Sequence, residues 1–183
     1  MLYVIWLLIG LIVGRLSGGR VAHLARLRLR WLWLVAMALV IQILIFPIAS
    51  GNSIVPYGTA ALHLASYALL IVWMARNLHV VPIRGLLAGA VCNIITVAAN
   101  GGYMPASVTA LQRAGLEGVA ERLLSGETVA NVMLMSPSTR LNALGDWLYL
   151  PKAIPFSTAF SIGDILIMIG LAWLVAWGMR THD

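Results

Sequence analysis

The 183-residue sequence has few charged side chains, since aspartate, glutamate, lysine and arginine together make up only 10% of it. A soluble domain carries about 25% charged residues, which cover its water-facing surface. Hydrophobic residues account for 61% of this chain, and its mean hydropathy is +0.94. Several apolar runs approach or exceed the roughly 18 residues that indicate a membrane span. The composition therefore predicts one integral-membrane domain over residues 1–183.

Cysteine and the common catalytic signatures are also scarce. Cys92 is the single cysteine, so the chain offers no intrachain disulfide and no CxxC site. The sequence contains no GxSxG elbow, no P-loop, no GxGxxG phrase and no HExxH pair. We therefore predict neither a cofactor nor a bound metal.

Acidic residues number six against twelve basic ones, which gives a net charge of +6. The basic residues lie at the ends of apolar runs, and eight of them fall in segments predicted to share one membrane side: Arg15, Arg20, Arg26, Arg28, Arg30, Arg76, Arg84 and Arg180. An excess of arginine and lysine marks the cytoplasmic side of a membrane protein. The charge therefore indicates topology and attraction to anionic lipids, and we predict no nucleic-acid binding.

The apolar runs predict an all-α, polytopic membrane helix bundle with about five transmembrane helices. The predicted spans are residues 2–19, 31–50, 57–75, 84–100 and 160–178, with a tight outer turn at 51–56. This arrangement places the N-terminus outside and the C-terminus in the cytoplasm. The run before Arg15 covers only about 21 Å of a ~30 Å core, and if it does not cross, four spans keep the same orientation. Gly10, Gly14 and Gly18 recur every four residues, which favours close helix packing or self-association.

Residues 101–159 form the only sizeable polar segment, and we predict that it lies on the outer side. Its apolar periodicity from Pro105 to Leu124 predicts one amphipathic, interfacial helix. Residues 127–135 and 139–150 are predicted to add further short helices or re-entrant pieces. The turn Asn100-Gly101-Gly102 predicts the end of the preceding helix, and Pro105 predicts the start of the next one.

Polar residues are concentrated in the outer halves of the predicted spans. In the fourth span, a stripe of small and polar residues lies on one helical face: Gly85, Gly89, Asn93, Thr96 and Asn100. We predict an outer-half polar cavity from six residues: Gln42, His63, Ser66, Asn93, Asn100 and Asp164. Polar groups in a membrane are costly unless they are paired, so they either line a site or lock the helices together. Both interpretations remain open from the sequence.

Two aspartates on the outer side are candidate catalytic groups. Asp146 and Asp164, with His63 as the one histidine on that side, would allow acid–base chemistry if they lay close together. The alternative for Asp164 is structural, because Ser161 and Asp164 have the spacing of a capping box. The spacing alone does not decide between these roles.

Three phrases carry a resemblance to a known family: Asn100-Gly-Gly-Tyr-Met-Pro105, Leu144-Gly145-Asp146 and Ser161-Ile-Gly-Asp164. With this order and spacing the chain resembles an uncharacterised family of small bacterial membrane proteins, a domain of unknown function. The resemblance implies the bacterial inner membrane as the location and brings no activity, substrate or cofactor with it.

Three functions are consistent with the sequence. The first is a non-enzymatic protein that binds lipid or a partner, or serves as a subunit of a membrane complex. The second is a component of small-solute transport, and the third is a membrane-embedded enzyme that uses the outer-side aspartates. The predicted partners are membrane lipids, with other membrane proteins or a second copy of the chain as further candidates.

Overall fold

The computed structural model describes residues 2–46, 54–55 and 57–180, and within them the chain is mostly helical. The α-helices are α1 (Leu2–Leu16), α2 (Leu32–Ile45), α3 (Thr59–Arg76), α4 (Ile83–Ala99), α5 (Val108–Arg113), α6 (Glu117–Leu124) and α7 (Ile162–Gly178). Short 3-10 helices span Val21–Arg26 and Asn142–Leu144. The helical class predicted from the apolar runs is therefore confirmed, and each predicted span coincides with one long helix.

The long helices are shorter than most of the predicted spans. Only α3, with 18 residues, is long and apolar enough to cross a membrane by itself within the described residues. The other four apolar helices contain 14 to 17 residues. Residues 47–50 of the second predicted span, the turn at 51–53 and Pro56 lie outside the described residues.

Helix α7 is the central packing element, because it contacts both α1 and α4. Close approach depends on glycine: a Cβ on Gly10 would lie 2.6 Å from the carbonyl oxygen of Ala172 in α7. Gly14 likewise packs against Ala176 and Met179, whereas Gly18 lies beyond α1 with a φ of +80° and nothing close to it. Gly10 and Gly14 therefore provide the predicted close packing, here between two helices of the same chain, and Gly18 takes no part in it.

The polar stripe of α4 faces α7 from Gly85 to Asn93. A Cβ on Gly89 would lie 2.5 Å from the carbonyl oxygen of Gly163, and Gly85 approaches Gly170. Asn93 lies one turn further along and bonds to Ser161 and Asp164. These residues therefore pack α4 against α7, and Asn93 places its amide at the start of α7.

The outer segment differs most from its prediction. Residues 105–124 do not form one helix: Pro105 lies in strand β1 (Met104–Ala106), Ser107 caps α5, and Gly115 separates α5 from α6 with a φ of +75°. Residues 127–135 contribute strand β2 (Val132–Leu134), and residues 139–150 contribute the second 3-10 helix and strand β3 (Leu148–Tyr149). These strands correct the expectation of helices, because backbone pairing at this end replaces the helical ladder.

Two small sheets order the outer segment. Strand β1 pairs in parallel with β2, and β3 pairs antiparallel with β4 (Ala159–Phe160). A further parallel bridge joins Ala106 to Asp146, with the Asp146 amide donating to the carbonyl oxygen of Pro105 at 2.8 Å. This bridge fixes the backbone of Asp146 against β1.

The basic segments meet at the opposite end of the bundle. The side chain of Asn77 is fully buried and exchanges two hydrogen bonds with the backbone of Arg30, at 2.7 and 2.9 Å. Arg76 stacks on the ring of Trp31 at 4.2 Å, and the Arg20 amide donates to the carbonyl oxygen of Met179. The connections after α1, α3 and α7 are therefore neighbours in space.

Candidate functional site

Asp164 is the centre of a hydrogen-bond network that joins three helices. Its Oδ1 accepts from Tyr3 Oη at 2.6 Å and from Asn93 Nδ2 at 2.9 Å, while Oδ2 accepts from the Ser161 backbone amide at 2.9 Å. Ser161 Oγ in turn accepts from the Asp164 amide and donates to Asn93 Oδ1, both at 3.0 Å. The predicted capping box is therefore present, and it also anchors α1 and α4 to the start of α7.

Beside this network lies a cavity of about 460 Å³. It is bordered by α1, α2, α3, α4 and α7 and by the outer segment, and its polar lining residues are Tyr3, Gln42, His63, Tyr67, Trp73, Asn93, Asn131, Asp146 and Asp164. The apolar part of the lining comes from residues such as Phe46, Leu86, Met104 and Ile167. A largely apolar cavity with a few convergent polar groups is the usual form of a small-molecule site.

Three buried polar atoms of residues around this cavity have no hydrogen-bond partner within the described part of the chain: His63 Nδ1, Trp73 Nε1 and Asp146 Oδ1. The side chain of His63 is 3% exposed, and that of Trp73 is 8% exposed. Leaving a polar group buried and unpaired costs roughly 1–3 kcal/mol, which makes three such atoms around one cavity uncommon. A ligand or water in the cavity would satisfy them.

Asp146 and Asp164 differ in their surroundings although they line the same cavity. Asp164 accepts three hydrogen bonds, whereas Asp146 Oδ1 accepts none. Burial, with a smaller contribution from the negative charge of Asp164, raises the pKa of Asp146 from its ordinary value of 3.8 to about 7. Asp146 can therefore exchange a proton near neutral pH.

Aromatic rings form a continuous wall on the α2–α3 side of the cavity. The ring of His63 contacts that of Phe46 edge-on at 5.1 Å between centroids and that of Tyr67 at 5.0 Å. Tyr3 and Trp73 add two further rings to the lining. The cavity thus combines carboxylates with aromatic faces.

The structure brings together most of the predicted polar residues. Gln42, His63, Asn93, Asp146 and Asp164 all line the cavity. Ser66 does not line it; it is fully buried, donates to the His63 carbonyl oxygen at 2.7 Å and accepts from Gln42 Nε2 at 3.3 Å. Ser66 therefore supports the cavity wall from behind.

Asn100 is the second predicted residue that lies away from the cavity. Its side chain accepts from the Arg140 amide and donates to the Arg140 carbonyl oxygen, each at 2.8 Å. It thus fastens the end of α4 to the outer segment. Gly101 and Gly102 follow with φ values of +68° and +101°, and the Gly102 backbone packs so closely on Ala60 that a side chain there would collide. These three residues are structural, as the predicted turn requires.

Sequence reasoning missed four polar residues of the lining: Tyr3, Tyr67, Trp73 and Asn131. Tyr67 follows His63 by one helical turn, so helical spacing could have added it. Tyr3 gave no such signal, because only the packing of α1 beside α7 brings it to Asp164.

Histidine, cysteine and acidic side chains are dispersed in the described part of the chain. Among the described residues, no three histidine, cysteine or acidic side chains are placed to hold a metal ion. His23 and His79 lie at the basic end of the bundle, where each ring contacts a backbone carbonyl oxygen, and His182 lies outside the described residues. His63, Asp146 and Asp164 are therefore the candidate chemical groups.

Comparison with known proteins gives one match. A family model described as "Family of unknown function (DUF5317)" matches residues 26–176. The matched range includes the phrases at 100–105, 144–146 and 161–164, and these contribute Met104, Asp146 and Asp164 to the cavity. No curated protein and no solved structure matches the chain.

Proposed function

The chain belongs to the DUF5317 family of unknown function, and we propose that it is a multi-span bacterial inner-membrane protein that binds a small ligand in its outer-side cavity. The proposal rests on one cavity of about 460 Å³, bordered by three residues whose buried polar atoms have no partner among residues 2–46, 54–55 and 57–180. A small-molecule site of about 300–1,000 Å³ has this size and this mixture of apolar and polar lining.

The surface of the long helices supports the membrane setting. Large apolar side chains are exposed on all five of them, including Ile12, Val40, Val72, Ile95 and Ile169. Contiguous apolar surface of this kind is unfavourable in water and suits lipid. A helix of 17 residues covers about 25 Å, so helices of this length fit the membrane when snorkelling residues flank them.

The distribution of polar groups supports five spans with the N-terminus outside. The basic connections after α1, α3 and α7 cluster at one end of the bundle, where the positive-inside rule places the cytoplasm. Residues 101–159 and the part of the cavity beside Asp146 and Asp164 occupy the other end, whereas Trp73 and Leu86 extend the lining toward the basic end. The ligand would therefore enter from the outside.

Proton-linked transport of the ligand is the second candidate function. The raised pKa of Asp146 favours it, because a carboxyl group that titrates near neutral pH can exchange a proton for a bound solute. An enzymatic role ranks below both candidates. Asp164 accepts hydrogen bonds from three donors, and these bonds hold its carboxylate in a structural role. Lipids remain the proposed surroundings, and a partner subunit remains a separate proposal.

Filling the cavity tests ligand binding directly. Ala90 is buried and lines the cavity, whereas Ala88 is exposed on the same helix, so Ala90→Phe and Ala88→Phe form a matched pair. Native mass spectrometry of gently purified protein should show added small-molecule mass on the wild type and Ala88→Phe, and none on Ala90→Phe. Met104→Trp, from the outer segment, fills the same cavity if Ala90→Phe does not fold. Equal ligand mass on folded variants with a filled cavity would contradict the proposal.

Single-cysteine labelling tests the five-span topology. In a Cys92→Ser background, cysteines at Ser157 and Arg84 would report the two predicted sides. We expect an impermeant thiol reagent added to whole cells without their outer membrane to label position 157 and to spare position 84. The reverse pattern would overturn the orientation.

A further inference from the structure

We infer that the chemical group recognised by the cavity is an organic ammonium cation, carried by a small solute or by a lipid headgroup. This inference rests on the proposed function, because it names the ligand class of the same cavity. Four features of the lining support it.

The first feature is the local charge. The whole chain has six acidic and twelve basic residues, yet the lining contains two of the acids, Asp146 and Asp164. No lysine or arginine is among the described residues that border the cavity. A negatively charged cavity in a positively charged protein favours cations and repels anions.

The second feature is the aromatic wall. Phe46 and Tyr67, whose rings contact His63, and Tyr3, which bonds to Asp164, line the same cavity as the carboxylates, and Trp73 lines its inner end. Aromatic faces attract ammonium groups, and cages of several rings bind quaternary ammonium groups. They give no comparable attraction to an anion.

The third feature is the pair of unpartnered nitrogen atoms. Trp73 Nε1 can only donate a hydrogen bond, so a water molecule or an acceptor atom at the inner end of the cavity would satisfy it. His63 Nδ1 can accept from an ammonium or hydroxyl group. Trp73 lies ten residues beyond His63 on α3, about 15 Å by helical rise, so His63 Nδ1 is the nitrogen that can bond to a ligand held beside the carboxylates.

The fourth feature is the preference for an organic cation over a metal ion. No three histidine, cysteine or acidic side chains come together in the described part of the chain to hold a metal. The lining also contains apolar side chains, including Leu70, Leu171 and Met74, which offer contact to carbon atoms. An ammonium group with alkyl substituents matches both the carboxylates and the apolar side chains of the lining.

Three probes of the same shape test the inference. Choline carries a trimethylammonium group, 3,3-dimethylbutan-1-ol replaces its nitrogen by carbon, and 3,3-dimethylbutanoate carries a negative charge. Isothermal titration calorimetry on the full chain in a neutral maltoside detergent should show choline binding at least about tenfold more tightly than either analogue. Equal or tighter binding of the neutral or anionic probe would overturn the ammonium inference while leaving the cavity as a ligand site. Failure of all three to bind would count against the cavity as a small-molecule site as well.

Variants connect the binding to the lining. Asp146→Asn removes a charge without breaking the Asp164 network, and it should weaken choline binding about tenfold or more. Glu121→Gln removes an acidic charge from the exposed face of α6 and should leave the affinity unchanged. Tyr67→Phe keeps the ring and Tyr67→Leu removes it, so only the second should weaken binding. Equal effects of Asp146→Asn and Glu121→Gln would overturn the assignment.

A competition experiment distinguishes the two sources of the ammonium group. Phosphatidylethanolamine or phosphatidylglycerol is added to the micelles before choline is titrated. A lipid source predicts that phosphatidylethanolamine alone lowers the apparent choline affinity, whereas a free solute predicts no difference between the lipids. Both results require choline binding and therefore support ammonium recognition, and they differ only in where the cation comes from.

Discussion

Tyr3 Oη donates a 2.6 Å hydrogen bond to Asp164 Oδ1, joining two residues that are 161 positions apart in the chain. The contact is possible because α1 and α7 run in the same direction with Gly10 and Gly14 at their interface. It places the first helix beside the cavity and makes α1 part of the candidate site.

Removing this hydroxyl group should loosen α1 from α7. We expect Tyr3→Phe to lower the free energy of unfolding by about 1–2 kcal/mol, because it breaks a charge-assisted hydrogen bond at a half-exposed position. Thermal unfolding in detergent measures the change. Tyr57→Phe is the control, since that tyrosine is 85% exposed, and an equal shift in both variants would contradict the role of Tyr3.

The contact between Gly163 and Asn93 should tolerate no side chain. A Cβ on Gly163 would collide with Asn93 Oδ1 and lie 2.9 Å from the Gly89 carbonyl oxygen, so Gly163→Ala should destabilise the protein by roughly 1–3 kcal/mol or more. Gly118→Ala is the matched control, because its Cβ would meet nothing within 4 Å and alanine favours a helix. Melting temperatures of the two variants should move in opposite directions.

Asp146 should make the stability depend on pH. The pKa of Asp146 is raised from 3.8 to about 7, so folding favours its protonated form. Asp146 therefore contributes its full stabilisation below pH 3.8, and the protein loses that contribution as the pH rises through about 7. The ionisable groups that share its cavity are Tyr3, His63, Tyr67 and Asp164. We expect the ligand-free wild type to lose more stability between pH 5 and pH 8 than Asp146→Asn does. Parallel curves for the two proteins would contradict this assignment.

The affinity for a cation should also depend on the protonation of Asp146, and it should rise over the pH range in which the stability falls. Deprotonation of Asp146 adds a negative charge, so choline affinity should increase from pH 6 to pH 8, by at most about tenfold per pH unit. Choline keeps its charge throughout, which confines the effect to the protein. In Asp146→Asn the affinity should be nearly independent of pH, and a slope like that of the wild type would assign the effect to another group.

Asn100 should hold the outer segment in place. Asn100→Ala breaks both hydrogen bonds to the Arg140 backbone, and we expect faster amide exchange over residues 136–146, with stability lowered by about 1–3 kcal/mol. Gln112→Ala, at an exposed position on α5, is the control. Unchanged exchange at Asp146 in Asn100→Ala would show that β1 alone positions that residue.

Some features of this protein were determined by the sequence itself. Long apolar runs must form helices if their backbone groups are to be paired away from water, so the five long helices were predictable. The capping box at Ser161 and Asp164 depends on residues three apart, and the polar stripe of α4 depends on helical period. For these features local chemistry is sufficient.

Only the tertiary structure decided which helices meet and what they enclose. The parallel packing of α1 on α7 brings Tyr3 to Asp164, and nothing in either segment specifies the other's position. The pairing of β1 with β2 and with Asp146 joins segments about 28 and 40 residues apart, and it takes Pro105 and Ala106 out of the helix that periodicity predicted. The cavity arises from the space between six such elements, because burial and unpaired polar atoms are properties of the packed chain and of no single stretch of sequence.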